Sequence, residues 1–441
     1  MNPRRPKRRC YSGGSIYAAM APLSPTTGAV VPKLRRRVVP AAPAAGGAIV
    51  DRGVRTVFFC LLVTAGIVAL FMAPSAYTEI FKLALAPGAH FVIGRPLSAV
   101  WPKFLHTVSP AASIYDPRVL YAFERRAVDA HILHVPFAYP PSMMLLIWPL
   151  ALLSPLAAFF LWFAASLTAY VSACRHRGFG VLITTVCVVA PSTIAVLLYA
   201  QISLLAAAAI IGGFRLTHRR PVLAGVLFGL ATVKPQFGIL VPLALISARQ
   251  WRTVISAATT ALLMVIASGV AFGWAAWVRF PAALNTVSAY VARHPSLAEH
   301  APTVTAGLRM LGAAPVVIDA AQLASAAGAV VTVWLCFRHG VTQLAIAALL
   351  VGTFFVTPYA FFYDLTLTTY AVLAVIVERY RNRGMLEFWE LIVLPLVLAL
   401  PVLMLFGPPR IPWGMLVLTP FAWLILRQIA ASRRQTERQM A

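Results

Sequence analysis

Charged residues are scarce in this chain, and acidic ones are scarcest. Of 441 residues, 37 are lysine or arginine and only 12 are aspartate or glutamate, whereas 60% are hydrophobic. The mean hydropathy is +0.82. A water-soluble domain of this length needs far more polar surface, so composition excludes a soluble globular protein. Because the apolar runs reach spanning length, the sequence predicts an all-α polytopic membrane protein.

Several recognisable site patterns are missing. The five cysteines have no paired spacing, which excludes a zinc ribbon or a disulfide framework. No glycine-rich nucleotide loop is present, and the histidines lack the i, i+4 pairing with carboxylates that metal sites favour. We therefore expect no tightly held metal ion, although a loosely bound divalent cation at a phosphate stays compatible with the sequence. The net charge of +25 lies in short clusters between apolar runs, a membrane-topology pattern with no nucleic-acid motif beside it.

Composition divides the chain into three parts. Residues 1–50 are basic and rich in Gly, Pro and Ala, which predicts a disordered cytoplasmic arm. Residues 51–430 form the predicted transmembrane domain, and residues 431–441 a cytoplasmic tail. The arginine clusters all fall on the cytoplasmic side if 139–174 is one crossing preceded by a half-helix and 221–248, broken at its central proline, is two short ones. The result is about twelve crossings of the cell inner membrane, with both termini in the cytoplasm.

This topology places on the extracytoplasmic side every polar motif that lies within an apolar run or at its end. Two long outer loops are predicted, at about 76–138 and 277–314. A lysine within an apolar span costs about 2.5 to 3.5 kcal/mol on insertion scales, so Lys234 marks a candidate site for an anionic ligand. The motifs that converge on this face are Tyr115-Asp116, Phe137-Ala138-Tyr139-Pro140-Pro141, Tyr199-Ala200-Gln201, Lys234-Pro235-Gln236 and Thr357-Pro358-Tyr359 through Tyr363-Asp364.

These motifs, in this order, resemble family 87 glycosyltransferases over about residues 55–430. The resemblance rests on the Tyr-Asp loop, the Phe-x-Tyr-Pro-Pro entry, the Ala224 to Gln236 segment and the Pro358 to Asp364 segment. It implies a GT-C-like bundle with a long extracytoplasmic first loop. It also implies an enzyme that moves a hexose, typically mannose, from a polyprenyl-phosphate donor to an outer-face acceptor with inversion. The implied partners are a lipid-linked sugar donor, a glycan or glycolipid acceptor and membrane lipids, with no nucleic acid.

The residue chemistry suggests a role for each candidate. A lysine at a helix break is suited to the donor phosphate, so Lys234 is the first candidate for that contact and Arg95 the second. The sugar pocket is expected to draw on the amides and phenols of Gln201, Gln236, Tyr115, Tyr139, Tyr359 and Tyr363. Inverting transfer needs a carboxylate base. Relatives place an aspartate early in the first loop, where this chain has Pro96-Leu97; Asp116, Asp364 and Glu79 are left for the task.

Alternatives stay open for each assignment. Lys234 is also suited to a structural pair with Asp364 or to reaching the membrane interface, and Asp116 before Pro117 is suited to capping a helix. Tyrosines at a membrane boundary also form belts. For the whole chain, the alternatives are a secondary transporter or lipid flippase, and a family member that has lost catalysis. No second copy of the Lys-Pro-Gln segment occurs, which counts against the internal repeat that transporters usually show.

Overall fold

The computed structural model describes residues 59, 63–64, 100–127, 136–175, 180–199, 201–293, 295–382 and 386–440. Within these residues the chain is helical and contains no β-strand, so the predicted all-α class is confirmed. The predicted basic arm, Glu79 and Arg95 lie outside the described residues, and the assignments made for them stay predictions.

The helices before the break at Lys234 range from 6 to 20 residues in length. They are α1 (Trp101–Thr107), α2 (Pro117–Ala127), α3 (Ser142–Ile147), α4 (Pro155–Cys174), α5 (Gly180–Val189), α6 (Pro191–Tyr199), α7 (Ser203–Leu216) and α8 (Pro221–Leu230). The helices after it are α9 (Pro235–Gly238), α10 (Val241–Ser247), α11 (Trp251–Phe272), α12 (Ala275–Arg293), α13 (Val304–Met310), α14 (Pro315–Phe337), α15 (Gln343–Val356), α16 (Thr366–Asn382), α17 (Phe388–Phe406) and α18 (Trp413–Met440). Single 3-10 turns occupy Ala111–Tyr115, Trp148–Leu152, Ala231–Val233, Pro295–His300 and Phe362–Leu365.

Five helices in the described part are long and apolar enough to cross a membrane. They are Pro155–Cys174, Trp251–Phe272, Pro315–Phe337, Phe388–Phe406 and the Trp413–Arg434 portion of α18. Shorter apolar helices of 10 to 17 residues lie between them, among them α7, α15 and the two halves of the 221–248 region. The chain is thus a polytopic membrane protein, and the number of about twelve crossings stays a prediction.

Proline positions explain where the helices divide. The 139–174 region forms the short helix α3, a 3-10 turn and then α4, as the half-helix interpretation predicted. Ser154 begins α4 by accepting a hydrogen bond from the backbone N–H of Ala157 at 3.3 Å. The apolar run at 180–198 has the length of one span, but it divides into α5 and α6 because Pro191 starts a new helix and restricts the residue before it.

Two segments expected to be irregular are helical. The predicted second outer loop contains most of α12, the turn Pro295–His300 and α13. Thr303 caps α13 through a hydrogen bond from the N–H of Ala306 at 3.2 Å, and its hydroxyl donates to the carbonyl of Pro358 at 3.3 Å. The predicted C-terminal tail continues α18. These segments are polar enough to be predicted as loops. The hydropathy pattern does not detect residues that start helices, such as Thr303.

Helices α8 and α11 approach closely because glycines on α8 leave room. Gly225 and Gly229 are four residues apart and lie on one helix face. A Cβ at Gly225 would come within 2.4 Å of Ser256 Cβ, and one at Gly229 within 2.4 Å of Thr260 Cβ. Small residues at this spacing are typical of tight membrane-helix contacts. The contact fixes the end of α8, which leads to Lys234.

A buried ionic cluster joins the last three helices. Nε of Arg379, on α16, donates to both carboxylate oxygens of Glu390 at 3.0 and 2.9 Å, and Nη2 donates to Glu387 at 2.9 Å. Arg427, on α18, donates to Glu387 at 2.8 Å. Glu390 is wholly buried and Arg379 nearly so, and charges buried in this way require partners. The cluster therefore holds the end of α16, the start of α17 and α18 together.

Glu387 precedes the spanning helix α17 and receives several donors. The indole N–H of Trp389 donates to it at 2.8 Å, and the guanidinium groups of Arg379 and Arg427 lie beside it. The Trp389 hydrogen bond, followed by the hydrogen bond and charge of Arg379 and the charge of Arg427, lowers the pKa of Glu387 to about 2. The carboxylate is therefore charged throughout the physiological range.

Candidate functional site

Lys234 stands where the chain breaks between α8 and α9. Pro235 has no backbone N–H and disfavours helical geometry in the residue before it. Lys234 accordingly has φ −130° and ψ 75°, and Pro235 begins the next short helix. The break that the sequence predicted at this proline is confirmed. It carries a lysine that is only 1% exposed.

The ammonium of Lys234 pairs with Asp364 and Ser203. Nζ contacts Oδ1 of Asp364 and donates to Oγ of Ser203 at 2.7 Å, and Ser203 donates to the same Oδ1 at 2.8 Å. The side chains of Lys234 and Asp364 are 2% and 1% exposed. We call these three residues the Lys–Asp–Ser cluster. The structure therefore contains the structural pair that was one of the alternatives for Lys234.

Asp364 has both of its carboxylate oxygens engaged. It lies in the 3-10 turn Phe362–Leu365, directly before α16. Oδ1 accepts from Lys234 and Ser203, and Oδ2 accepts from the backbone N–H of Phe361 at 3.1 Å. These three donors fix the position of the carboxylate against the ammonium of Lys234.

Aromatic rings surround the cluster. Nζ of Lys234 lies 4.6 Å from the ring centroid of Phe237 and 5.2 Å from that of Tyr363, distances at which a cation is attracted to a ring face. The ring of Tyr199 lies 6.2 Å from that of Tyr363 and 5.0 Å from that of Phe362. Tyr199 is 47% exposed, so this aromatic wall extends from the buried charge to the protein surface.

A series of hydrogen bonds connects the first predicted outer loop to this region. The hydroxyl of Tyr115 donates to the carbonyl of Tyr139 at 2.7 Å, and the hydroxyl of Tyr139 donates to Oε1 of Gln201 at 2.6 Å. Burial raises the pKa of Tyr115 above its usual value, so its phenol keeps the proton that it donates. Gln201 is two residues before Ser203. The predicted residues Tyr115, Tyr139 and Gln201 thus adjoin the Lys–Asp–Ser cluster.

Asp116 lies next to this series but has a different immediate role. Its Oδ1 accepts a hydrogen bond from the backbone N–H of Arg118 at 2.9 Å, which caps helix α2. The residue is half-buried. The capping alternative is therefore present in the structure, on a side chain that remains partly open to solvent.

Two other candidates have less extensive contacts. Tyr359 is 42% exposed, and its backbone N–H donates to the hydroxyl of Thr357 at 3.1 Å. Gln236 is half-buried on the short helix after the break. The structure places both in the segments that carry the site without bringing them into the Lys–Asp–Ser cluster.

Sequence reasoning missed three contributors. Ser203 is hydrogen-bonded to both Lys234 and Asp364. The sequence feature that could have identified it is a hydroxyl residue at the start of an apolar helix, directly after the Tyr-Ala-Gln turn. Trp101 packs against Tyr139 with a centroid distance of 5.7 Å, and its indole N–H has no hydrogen-bond partner in the described part of the chain. His300 packs against Phe362 at 6.0 Å. The last two come from regions predicted as loops, where sequence gives no distance to the site.

Within the residues that the structure describes, no group of three or more His, Cys, Asp or Glu side chains is placed to hold a metal ion. The three described cysteines, Cys174, Cys187 and Cys336, are buried. The donors that the site does offer are the hydroxyl, amide and ammonium groups described above.

The convergence of these segments agrees with the comparison to known families. The model of glycosyltransferase family 87 matches residues 137–361, which include Tyr139, Gln201, Ser203 and Lys234 and end three residues before Asp364. No curated protein matches the chain, and neither does any solved structure. Because the match covers more than half of the 441 residues, this chain belongs to glycosyltransferase family 87.

Proposed function

We propose that this membrane glycosyltransferase moves a hexose, mannose in the first instance, from a polyprenyl-phosphate donor to a glycan or glycolipid acceptor, with inversion. The site lies at the extracytoplasmic face of the inner membrane. Family membership supports the class of reaction. The observation that carries the proposal is the meeting of Tyr139, Gln201, Lys234 and Asp364, which come from four separate segments. The proposal includes no tightly held metal and leaves room for a divalent cation at the donor phosphate.

The position of the site along helix α7 supports an extracytoplasmic face and a lipid-linked donor. Ser203, the first residue of α7, belongs to the cluster, and Arg215 lies in the last turn of the same helix, with Arg219 soon after it. At 1.5 Å per residue the two ends of this helix are about 21 Å apart. The positive-inside rule assigns the arginine end to the cytoplasm, so the cluster belongs to the opposite side. A polyprenyl-phosphate donor there keeps its tail in lipid and its phosphate at the boundary.

Lys234 supplies positive charge for the donor phosphate in this proposal. An ammonium has three hydrogens. Ser203 and Asp364 accept two of them, and the third is left on the side of the Phe237 and Tyr363 rings. A phosphate oxygen reaches it when the half-buried ring of Tyr363 moves aside. Arg95 remains the second candidate for this contact.

Asp116 is the proposed base, with Asp364 positioning Lys234. The acceptor oxygen forms a bond to the anomeric carbon while the bond from that carbon to the donor phosphate oxygen breaks, and the electron pair leaves with the phosphate. The acceptor proton passes to Asp116. Asp364 is held by three donors, whereas Asp116 is half-buried and its side chain has one hydrogen bond within the described part of the chain. Glu79 is the remaining carboxylate candidate.

The sugar is proposed to bind between the aromatic and amide groups. Tyr139 and Gln201 are already oriented by their mutual hydrogen bond, and Tyr363 forms the side towards the lysine. The indole N–H of Trp101, beside the ring of Tyr139, has no hydrogen-bond partner among the described residues and is suited to a sugar hydroxyl. Gln236 and Tyr359 complete the proposed lining from the two neighbouring segments.

Membranes containing the full chain, supplied with labelled polyprenyl-phosphate mannose and total lipid acceptors, test the proposal. We expect Lys234→Ala and Asp116→Asn each to reduce transfer by about a hundredfold or more, the scale of general-base catalysis. Lys103→Ala and Asp319→Asn, which change exposed residues of the same types, are the matched controls. The anomeric configuration of the product reports inversion.

The outcomes separate the parts of the proposal. No turnover of any lipid-linked sugar by wild-type membranes would overturn the enzyme assignment. Turnover of another polyprenyl-linked hexose alone would overturn mannose. An unchanged rate in Asp116→Asn would overturn its role as base, and retention of configuration would overturn inversion.

A further inference from the structure

A cavity lies between helices α4, α7 and α8 and the start of α15, and at one end its lining reaches Val233, the residue before Lys234. Its volume is about 970 Å³, near the upper end of the range for small-molecule sites. It extends along most of α7, from Leu205 to Arg219. Leu205 to Leu216, the last residue of α7, is eleven residue steps or about 17 Å of helix, and Arg219 lies just beyond it, so the cavity is long enough for part of a lipid chain.

The helices line the cavity with apolar residues, some of which are small. It includes Leu205, Ala209, Gly212, Leu227 and Leu230. Gly212 lies in this wall, where a Cβ would make ordinary contacts at 3.5 Å from Leu227 Cδ1 and 3.8 Å from Ala173 Cβ, and a leucine there is expected to occupy part of the cavity. Leu205, Gly212, Leu227 and Leu230 are each half-buried, so this wall is partly open at its side.

The end of the cavity away from the Lys–Asp–Ser cluster is cationic. Arg215, His218 and Arg219 from the end of α7 and Arg381 from α16 line it, and no acidic residue lines the cavity among the described residues. Arg215 is positioned by a hydrogen bond from its Nη1 to the carbonyl of Ala173 at 2.5 Å. Basic pockets between membrane helices on the cytoplasmic side bind anionic head groups.

We propose that this cavity is a binding site for an anionic phospholipid of the cytoplasmic leaflet. Its phosphate contacts Arg219 and Arg381, and one acyl chain lies along Gly212 and Leu227. The charge at one end and the apolar wall along the rest match this occupant. The donor of the proposed reaction carries its phosphate at the other end of α7, so this site goes beyond the proposed function, and it rests on the same membrane orientation.

Lipid titrations of the purified full-length chain in neutral detergent, followed by native mass spectrometry, test this site. The probes are phosphatidylglycerol, phosphatidylcholine, inorganic phosphate and polyprenyl phosphate. We expect phosphatidylglycerol to bind at least about tenfold more tightly than phosphatidylcholine, and the double change Arg219→Gln, Arg381→Gln to remove that preference. Arg252→Gln, at an exposed arginine that does not line the cavity, is the matched control.

Filling the cavity supplies the second variant. Gly212→Leu is expected to weaken phosphatidylglycerol binding about tenfold while the arginines remain in place. Equal binding of the two phospholipids would overturn the proposal. So would equal competition by inorganic phosphate, which indicates an anion site without a chain, and one-for-one displacement of phosphatidylglycerol by polyprenyl phosphate, which indicates a donor-tail site. Because no sugar transfer is measured, these results stand apart from any failure of the enzyme assignment.

Discussion

Breaking the Lys234–Asp364 pair one partner at a time should be far more harmful than removing both. Each side chain is at most 2% exposed, so Lys234→Met leaves a buried carboxylate and Asp364→Leu leaves a buried ammonium. Losing one partner of such a pair costs about 3 to 5 kcal/mol. Replacing both by apolar residues of similar volume is often neutral, so the double variant is expected within about 1 kcal/mol of wild type.

Reversible unfolding in mixed micelles measures these free energies for the wild type, the two single variants and the double variant. Ser203→Ala, which removes only the bridging hydroxyl, is expected to cost about 1 to 3 kcal/mol. Single changes that each cost less than 1 kcal/mol and add in the double variant would refute the reasoning, because residues in direct contact should show a coupling energy.

The same double variant also separates stability from chemistry. It is expected to fold like the wild type and to transfer no sugar, since the charge proposed for the donor phosphate is gone. A stable double variant that transfers sugar at the wild-type rate would restrict Lys234 to a structural role.

Three further outcomes follow from features described above. Gly229→Leu is expected to lower the yield of folded protein in detergent, because a Cβ there falls 2.4 Å from Thr260 Cβ, whereas Gly328→Leu, with open space around its Cβ position, should not. Glu387→Gln should lower the thermal midpoint at pH 7, because it removes a carboxylate whose pKa is about 2 in the folded protein. The difference in midpoint from wild type should be full above about pH 4.3, the ordinary pKa of glutamate, and should disappear as the pH falls towards 2. Tyr139→Phe removes the hydroxyl that donates to the side-chain carbonyl of Gln201. It should slow transfer about five- to thirtyfold in the labelled-donor assay. An unchanged rate would count against a role of Tyr139 in the sugar pocket.

The breaks in the chain were predictable where a proline or a charge interrupts an apolar run. Lys234-Pro235 was found in this way, and so was the short helix before α4. The division at Pro191 was missed because the flanking residues are uniformly apolar and the run has the length of one span. Hydropathy reports the length and composition of an apolar run. The end of a helix can depend on a single backbone N–H, which proline lacks.

The candidate site was predictable as a set of segments but not as a set of contacts. Polarity within apolar runs identified Lys234, Gln201 and Asp364. It does not tell whether a lysine binds a ligand or a carboxylate 130 residues away, because that depends on packing between helices. Ser203 was missed for the same reason: a serine is common in membrane helices, and only the position of its neighbours gives it two charged partners.

The sequence separation of Lys234 and Asp364 has a consequence for biogenesis. At about 5 to 20 residues per second, the ribosome needs roughly 7 to 26 s to make the 130 residues between them. During that interval the nascent protein holds a cation within or near the bilayer before its carboxylate exists. Pairing with Asp364 in the turn before α16 then neutralises it, so the lysine reaches its final environment only after that turn has been made.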